Sequence, residues 1–175
     1  MINRQNLSLI KTNKGHDLAS LSDRSPVLLV FLRHFGCVFC KASMLDISRK
    51  RKEFEAEGVK IVLVHMADFD TADTYFKDFG IQDLEQISDP ECKYYAAFGL
   101  VKGSFSQLFG LKTWMRGFEI AATEQMLPAR TRIGDGLQMP GIFMIRHAEI
   151  IGSFIHNSVA DKPDYQSFIA VCHIH

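Results

Sequence analysis

One stretch of this 175-residue sequence, Val27 to Ile47, constrains the fold more than any other. The apolar, partly β-branched run from Val27 to Arg33 predicts a buried central strand. The motif Cys37-Val38-Phe39-Cys40 follows, and a helical pattern comes directly after it. A Cys-x-x-Cys pair at a strand-to-helix junction is typical of thiol redox proteins, so this stretch predicts a chemistry as well as a local structure.

The first half of the chain alternates between predicted strands and helices. Residues 5–10 alternate enough to predict a short edge strand. Strands are further expected over residues 27–33, 60–67 and 87–90, and helices over residues 40–57, from Asp70 or Thr71 to Phe79, and over residues 94–98. The order strand, helix, strand, helix indicates a parallel βαβ unit.

The second half has a different pattern. Residues 141–145 and 149–155 predict a β-hairpin, and a last helix starts at Pro163 or Asp164. This order predicts an α/β thioredoxin-like fold with a mixed central sheet flanked by helices. Residues 103–138 predict a helical insertion between the two halves. We expect a single thioredoxin-like domain over residues 1–175.

Composition argues against several classes of partner. With 20 basic and 20 acidic side chains the formal net charge is +0, and no basic run suggests nucleic acid. The apolar stretches are far shorter than the roughly 20 residues that span a bilayer. The N-terminus lacks the apolar core of a signal peptide. We therefore expect a cytoplasmic protein, where four cysteines do not form a disulfide framework.

The cysteine pair predicts two distinct roles. Cys37 lies at the start of a helix, where the helix dipole and unpaired N–H groups favour the thiolate, so we expect it to be the attacking thiol. Cys40 lies one helical turn later and is expected to resolve the intermediate. Gly36 would allow a tight turn. Arg33 or His34 could place a cation at the sulfur; alternatively, Arg33 faces solvent and His34 fills a loop.

Other readings of the sulfur and imidazole groups stay open. The pair could be half of a structural zinc site or an inert buried pair. Cys92 is either a third redox thiol or a small residue at a helix start. Cys172 and His65 fit core positions better than ligand positions. Neither a metal nor an organic cofactor is required by this interpretation.

Met139 and Pro140 precede the strand that is predicted to begin at Gly141. In a thioredoxin fold the proline at this place is usually cis and stands opposite the cysteine pair, where the adjoining backbone pairs with the substrate. We therefore predict a substrate-binding role for Met139 and a cis bond before Pro140. The alternative is an ordinary proline at the start of a strand.

Three segments resemble the peroxiredoxin-like branch of the alkyl hydroperoxide reductase and thiol-specific antioxidant superfamily, close to the selenoprotein-L-related redox proteins. They are FLRHFGCVFCK, ISDPECKYYAAFGL and QMPGIFMIRHAEIIGSFIHNSVADKPDY. The resemblance implies a thioredoxin-fold thiol redox protein with Cys37 at the attacking position and Cys40 as its partner. It also implies a peroxide or protein disulfide as substrate and an electron donor of the thioredoxin or glutathione type; a homodimer stays open.

The sequence departs from the peroxiredoxin pattern at three places. His34 stands where such proteins have Thr or Ser, Val30 stands where they have Pro, and no Arg precedes Gly141. The first expectation is therefore thiol-disulfide exchange by the Cys-x-x-Cys pair. A true thiol peroxidase is the second, and a non-catalytic binding or metal-carrier module is the third.

Overall fold

The computed structural model describes residues 2–104, 110–124 and 133–172 of the chain. The elements in these ranges are α1 (Arg4–Leu9), α2 (Leu18–Arg24), β1 (Val27–Phe31), α3 (Val38–Ala56), β2 (Lys60–His65), α4 (Phe69–Lys77), β3 (Glu85–Ser88), α5 (Lys93–Ala97), α6 (Leu111–Thr123), β4 (Gly141–Arg146), β5 (Glu149–Ile155) and α7 (Tyr165–Cys172). In the described residues, no helix is long and apolar enough to cross a membrane.

The five strands form one mixed sheet in the order β3-β2-β1-β4-β5. β1 pairs in parallel with β2, which pairs in parallel with β3, whereas β4 is antiparallel to both β1 and β5. The predicted α/β thioredoxin-like fold with a mixed central sheet is therefore confirmed. β1 occupies the centre of the sheet, and its last residue, Phe31, pairs with Val64 on one side and Gly141 on the other.

Both faces of the sheet are covered, which explains the uninterrupted apolar run of β1. Leu28 and Val30 point into a core that includes Met44 of α3. Leu29 and Phe31 point into a second core, beneath α1 and α2. Because successive side chains of a strand point to opposite faces, a strand at the centre of two such cores has no polar position.

The prediction of an edge strand over residues 5–10 is wrong, because all of these residues except Ile10 belong to α1. Asn3 accepts a hydrogen bond from the Asn6 N–H, and the Asn6 side chain accepts one from the Asn3 N–H. This reciprocal cap satisfies two N–H groups that a helix start leaves unpaired. Leu7 and Ile10 are buried three residues apart, which is helical spacing.

The boundaries of several other elements differ from the prediction by a few residues, and α4 and β3 are two of them. α4 begins at Phe69, and its N-cap is Asp68 rather than the expected Asp70 or Thr71, because the Asp68 carboxylate accepts the Thr71 N–H. β3 begins at Glu85, two residues before the predicted start.

The helical insertion predicted over residues 103–138 contains α6. Ile120 of α6 is buried, and the α-carbon of Gly117 faces the Phe39 ring, so that a Cβ there would lie 3.6 Å from it. Trp114, Met115 and Phe118 are exposed. The part of the predicted helical pattern from Phe105 to Phe109, and residues 125–132, lie outside the described residues.

Candidate active site

The cysteine pair lies where β1 passes into α3. Leu32 continues the β1 pairing by donating its N–H to the Val64 carbonyl, 2.9 Å away. The chain then turns, and the Cys37 N–H donates to the His34 carbonyl at 3.0 Å. Cys37 is the N-cap of α3. Gly36 is buried in this turn, and its φ is not positive. The backbone angle of the turn therefore does not by itself require a glycine at this position.

Both sulfur atoms belong to free thiols, and their surroundings differ. Cys37 is 8% exposed and Cys40 is 1% exposed. Burial, and then the proximity of Cys37, raise the pKa of the Cys40 thiol well above its ordinary value. The Cys40 Sγ lies 3.4 Å from the Arg33 carbonyl and donates to it. Cys40 is therefore held as a neutral thiol behind Cys37.

The Arg33 side chain turns inward onto Cys37 and is only 7% exposed. Its Nη1 lies 2.9 Å from Cys37 Sγ. Its Nε donates to the Gln138 carbonyl at 3.3 Å, and its Nη2 donates to the Gly136 carbonyl. No carboxylate among the described residues is bonded to this guanidinium. The alternative in which Arg33 faces solvent is wrong, whereas His34, also buried, lies beside it in the turn.

The segment before β4 forms the opposite wall of the site. Phe35 donates its N–H to the Ile133 carbonyl at 3.3 Å, which joins this segment to the cysteine loop. The buried Gln138 side chain donates to the Leu100 carbonyl at 2.9 Å. Met139 is buried against Val159 and Phe39. The segment is therefore fixed on both sides of the Arg33 contacts.

The expected cis bond before Pro140 is not found, because none of the peptide bonds described in the structure is cis. The Met139 N–H already donates to the Val101 carbonyl at 3.3 Å, and the Met139 carbonyl accepts from the Gln138 side chain at 3.3 Å. Both main-chain groups of Met139 are thus occupied within the chain. Pairing of a substrate strand through the Met139 N–H would require its bond to the Val101 carbonyl to break.

Two residues that hold the site in place were missed from the sequence. The Tyr95 hydroxyl lies 2.5 Å from the Leu32 carbonyl and 3.1 Å from the Val64 carbonyl, so it ties β1 and β2 together just before Arg33. Asp89 accepts the N–H groups of Lys93, Tyr94 and Tyr95 and so caps α5. The Ser-Asp-Pro turn followed by tyrosines was the signal for both.

The remaining candidates lie apart from the pair. Cys92 is half-buried at the start of α5 with a left-handed backbone, φ 55°. Cys172 is buried in the core, where its Sγ donates to the Phe168 carbonyl at 3.3 Å. His65 is fully buried and bonded to Gln86. Within the described ranges no three His, Cys, Asp or Glu side chains are grouped as a metal site would require.

Sequence comparisons place these features in a known context. Residues 5–153 match the sequence model of the AhpC/TSA family. The chloroplastic thioredoxin-like protein AAED1 of Arabidopsis thaliana is 33% identical over 158 residues, which cover 86% of this chain and 62% of that protein. The chain thus spans about three fifths of this relative's length. The prostamide/prostaglandin F synthase of Danio rerio is 27% identical over 155 residues, 87% of this chain and 76% of the synthase.

The solved structures that share this fold include peroxiredoxins. Peroxiredoxin Q of Xanthomonas campestris superimposes with a TM-score of 0.66 at 14% identity, over 100% of this chain and 96% of its own. Peroxiredoxin 6 of Arenicola marina gives a TM-score of 0.65 at 10% identity, over 94% of this chain and 67% of its own. At these identities the likeness concerns the fold.

Proposed function

This chain belongs to the AhpC/TSA family, and on that premise we propose that it is a thiol-dependent oxidoreductase that reduces hydroperoxides at Cys37. Cys40 is the resolving thiol, and an external dithiol of the thioredoxin type, or glutathione, restores the pair. The proposed compartment is the cytoplasm, which keeps thiols reduced.

The contact between the Arg33 guanidinium and the Cys37 sulfur supports this proposal best. Nη1 lies 2.9 Å from Sγ, which is hydrogen-bond distance for a charged donor. A buried cation is costly unless it is balanced by an anion or strong acceptors. Among the described residues the other acceptors of Arg33 are neutral carbonyls, so a thiolate at Cys37 would be the anion that balances the guanidinium. The same donors stabilise negative charge that develops on a leaving oxygen.

The proposed cycle has three balanced steps. The Cys37 thiolate attacks the hydrogen-bearing oxygen of ROOH; the S–O bond forms, the O–O bond breaks, and the alkoxide leaves and is protonated by solvent to ROH. The Cys40 sulfur then attacks the sulfenic acid at Cys37, which gives the disulfide and one water. An external dithiol reduces this disulfide to the two thiols and becomes a disulfide itself.

The shape of the site favours a small hydroperoxide over a protein disulfide. Cys37 is 8% exposed, which leaves little room for a second protein chain to approach its sulfur. The main-chain groups of Met139, on which a substrate strand would pair, already bond within the chain. Thiol-disulfide exchange, the first expectation from the sequence, becomes the second candidate; the Cys-x-x-Cys spacing is the observation that favours it.

Rapid oxidation of the reduced protein distinguishes these two functions. Reduced protein is mixed with one equivalent of hydrogen peroxide, quenched at successive times and analysed by peptide mass spectrometry, with Cys37→Ser as the control. We expect oxidation at Cys37 far faster than that of free cysteine, followed by a Cys37–Cys40 disulfide. Slow oxidation by peroxide, together with ready disulfide formation from a small disulfide donor, would establish the exchange function instead.

A further inference from the structure

The two residues before Met139 have an unusual arrangement of polarity. Leu137 is 48% exposed, whereas the neighbouring Gln138 is 2% exposed. Soluble proteins bury leucine far more often than glutamine, and a buried amide costs free energy unless its polar atoms are hydrogen-bonded. The inward orientation of Gln138 therefore requires an explanation beyond the filling of space.

The Gln138 amide is bonded to the main chain around it. Its Nε2 donates to the Leu100 carbonyl at 2.9 Å and to the Met139 carbonyl at 3.3 Å. The main chain of Gln138 lies opposite Lys102 in a short antiparallel bridge. The side chain and the main chain together hold Gln138 against the segment that follows α5.

Leu100, the first of these acceptors, is itself firmly held. It is buried, and its N–H donates to the Tyr95 carbonyl at 2.9 Å. Its side chain fills the space over Gly141, where a Cβ would lie only 2.5 Å from it. Tyr95 of α5 also bonds through its hydroxyl to the Leu32 carbonyl, next to Arg33. The acceptor that holds the Gln138 amide is therefore anchored in the core.

The main-chain carbonyl of Gln138 is one of the two carbonyls that hold the Arg33 guanidinium. It accepts Nε at 3.3 Å, and the Gly136 carbonyl accepts Nη2. The remaining nitrogen, Nη1, lies 2.9 Å from Cys37 Sγ. The three nitrogens belong to one rigid plane, so two fixed carbonyls set the direction in which Nη1 points. A hydrogen bond weakens steeply when this direction deviates from the acceptor.

We infer that Gln138 is a positioning residue for Cys37: its amide fixes its own main-chain carbonyl, which keeps the Arg33 guanidinium directed at the sulfur. Gln138 does not contact the sulfur and acts only through Arg33. This inference rests on the role that the proposed function gives to Arg33, and it adds the residue that holds Arg33 in place. It concerns the nucleophilicity of Cys37 and therefore applies to peroxide reduction and to disulfide exchange alike.

Two substitutions remove the support of this carbonyl to different degrees. Gln138→Met removes the amide and keeps the length of the side chain. Gln138→Asn keeps an amide on a side chain that is one methylene shorter, and it is the milder change if the methionine variant does not fold. Gln86→Met is the matched control, because Gln86 is a fully buried glutamine of β3 whose side chain is bonded to His65 and Asp73.

The measured quantity is the rate constant of Cys37 with iodoacetamide at pH 7, followed by mass spectrometry of the Cys37 peptide in a double-mutant cycle with Arg33→Met. We expect Gln138→Met to lower this rate constant about fivefold and Arg33→Met about tenfold or more. When Arg33 is already methionine, Gln138→Met should cause no further loss, because the group through which it acts is gone. Gln138→Asn should depend on Arg33 in the same way with a smaller loss. Gln86→Met should lower the free energy of unfolding and leave the rate constant unchanged.

An equal loss from Gln138→Met with and without Arg33 would show a general effect on the fold and would overturn the inference. An unchanged rate constant in the Gln138 variants or in Arg33→Met, or a loss of the same size in Gln86→Met, would also overturn it. Failure of the proposed function is seen separately. Slow oxidation of the wild type by hydrogen peroxide, together with the expected cycle for iodoacetamide, would refute the peroxidase and support the role of Gln138.

Discussion

The Arg33 guanidinium lies 2.9 Å from the Cys37 sulfur and is bonded otherwise only to neutral carbonyls among the described residues. A stable core does not need such a cation, because burying it costs free energy that apolar packing would avoid. Its position next to Cys37, the N-cap of α3, is therefore best explained by reactivity. The peroxiredoxin pattern has an arginine before the strand that begins here at Gly141, and this sequence has none at that place. Arg33 provides a positive charge at the Cys37 sulfur instead.

Arg33→Met should lower the reactivity of Cys37 while the fold is kept. Methionine fills much of the same volume but offers neither charge nor N–H donors, so the thiolate loses its balancing cation. We expect the rate constants of Cys37 with hydrogen peroxide and with iodoacetamide at pH 7 to fall by about tenfold or more. Stopped-flow kinetics measures the first, and mass spectrometry of the alkylated peptide measures the second.

Arg33→Lys and Arg49→Met are the controls for this change. Lysine keeps the charge without the three-way contact and should give intermediate rates. Arg49 is an exposed residue of α3 that pairs with Glu124, so Arg49→Met should react like the wild type. Wild-type rates in Arg33→Met would show that its contact with Cys37 has no role in reactivity.

Cys40→Ser should stop the cycle after its first step. Cys40 is 1% exposed behind Cys37 and supplies the second sulfur of the disulfide in the proposed cycle. We expect one equivalent of peroxide to leave a sulfenic acid on Cys37 that dimedone traps and mass spectrometry detects. Cys92→Ser, which removes a half-buried thiol at the start of α5, should still form the disulfide. Disulfide formation in Cys40→Ser through Cys92 would make Cys92 the resolving thiol.

The sequence predicted the strands and the cysteine junction well because both depend on local patterns. The β1 run is apolar at every position, and the motif that begins at Cys37 directly follows it. The contacts of Arg33 could not be predicted in this way, because its acceptors at Gly136 and Gln138 are 103 and 105 residues away.

The edge strand over residues 5–10 and the cis bond before Pro140 were predicted from alternation and from fold analogy, and neither takes account of individual hydrogen bonds. At α1, the reciprocal cap between Asn3 and Asn6 favours a helix in a segment whose apolar residues also fit a strand. Before Pro140, the trans bond is compatible with a fold in which the neighbouring Met139 bonds within the chain. In both places the structure contains specific hydrogen bonds that a hydropathy pattern does not encode.

Tyr95→Phe should destabilise the end of the sheet next to the site. The hydroxyl is a buried donor shared between the Leu32 and Val64 carbonyls, and its removal leaves both carbonyls without this hydrogen bond. We expect the free energy of unfolding to fall by about 1–2 kcal/mol, as for other buried hydrogen bonds. Urea denaturation measures this value. Tyr94→Phe is the matched control on the same helix, and a loss of equal size there would deny Tyr95 a special role.

His65 should make the stability of the protein depend on pH. Its Nδ1 accepts the Ala67 N–H at 3.3 Å, and its Nε2 lies 2.8 Å from the Gln86 side-chain oxygen, so the buried ring is neutral. Burial lowers its pKa from 6.5 to about 4, while the hydrogen bond to the Gln86 side-chain oxygen acts in the opposite direction. Between these two values the unfolded chain binds a proton that the folded chain does not. The stabilisation is therefore complete above pH 6.5 and is lost as the pH falls towards 4, by at most about 3 kcal/mol.

His65→Gln isolates this contribution, because it removes the titrating group and keeps an amide in its place. His156 has the same sign of shift and is present in both proteins, so it cancels in the difference. The free energy of unfolding, measured in urea at pH 4.5, 5.5 and 7, should fall more steeply with acid in the wild type than in the variant. Parallel profiles would mean that the folded and the unfolded protein take up a proton at His65 over the same pH range. The assignment of a neutral ring, hydrogen-bonded to Gln86 and Ala67, would then be wrong.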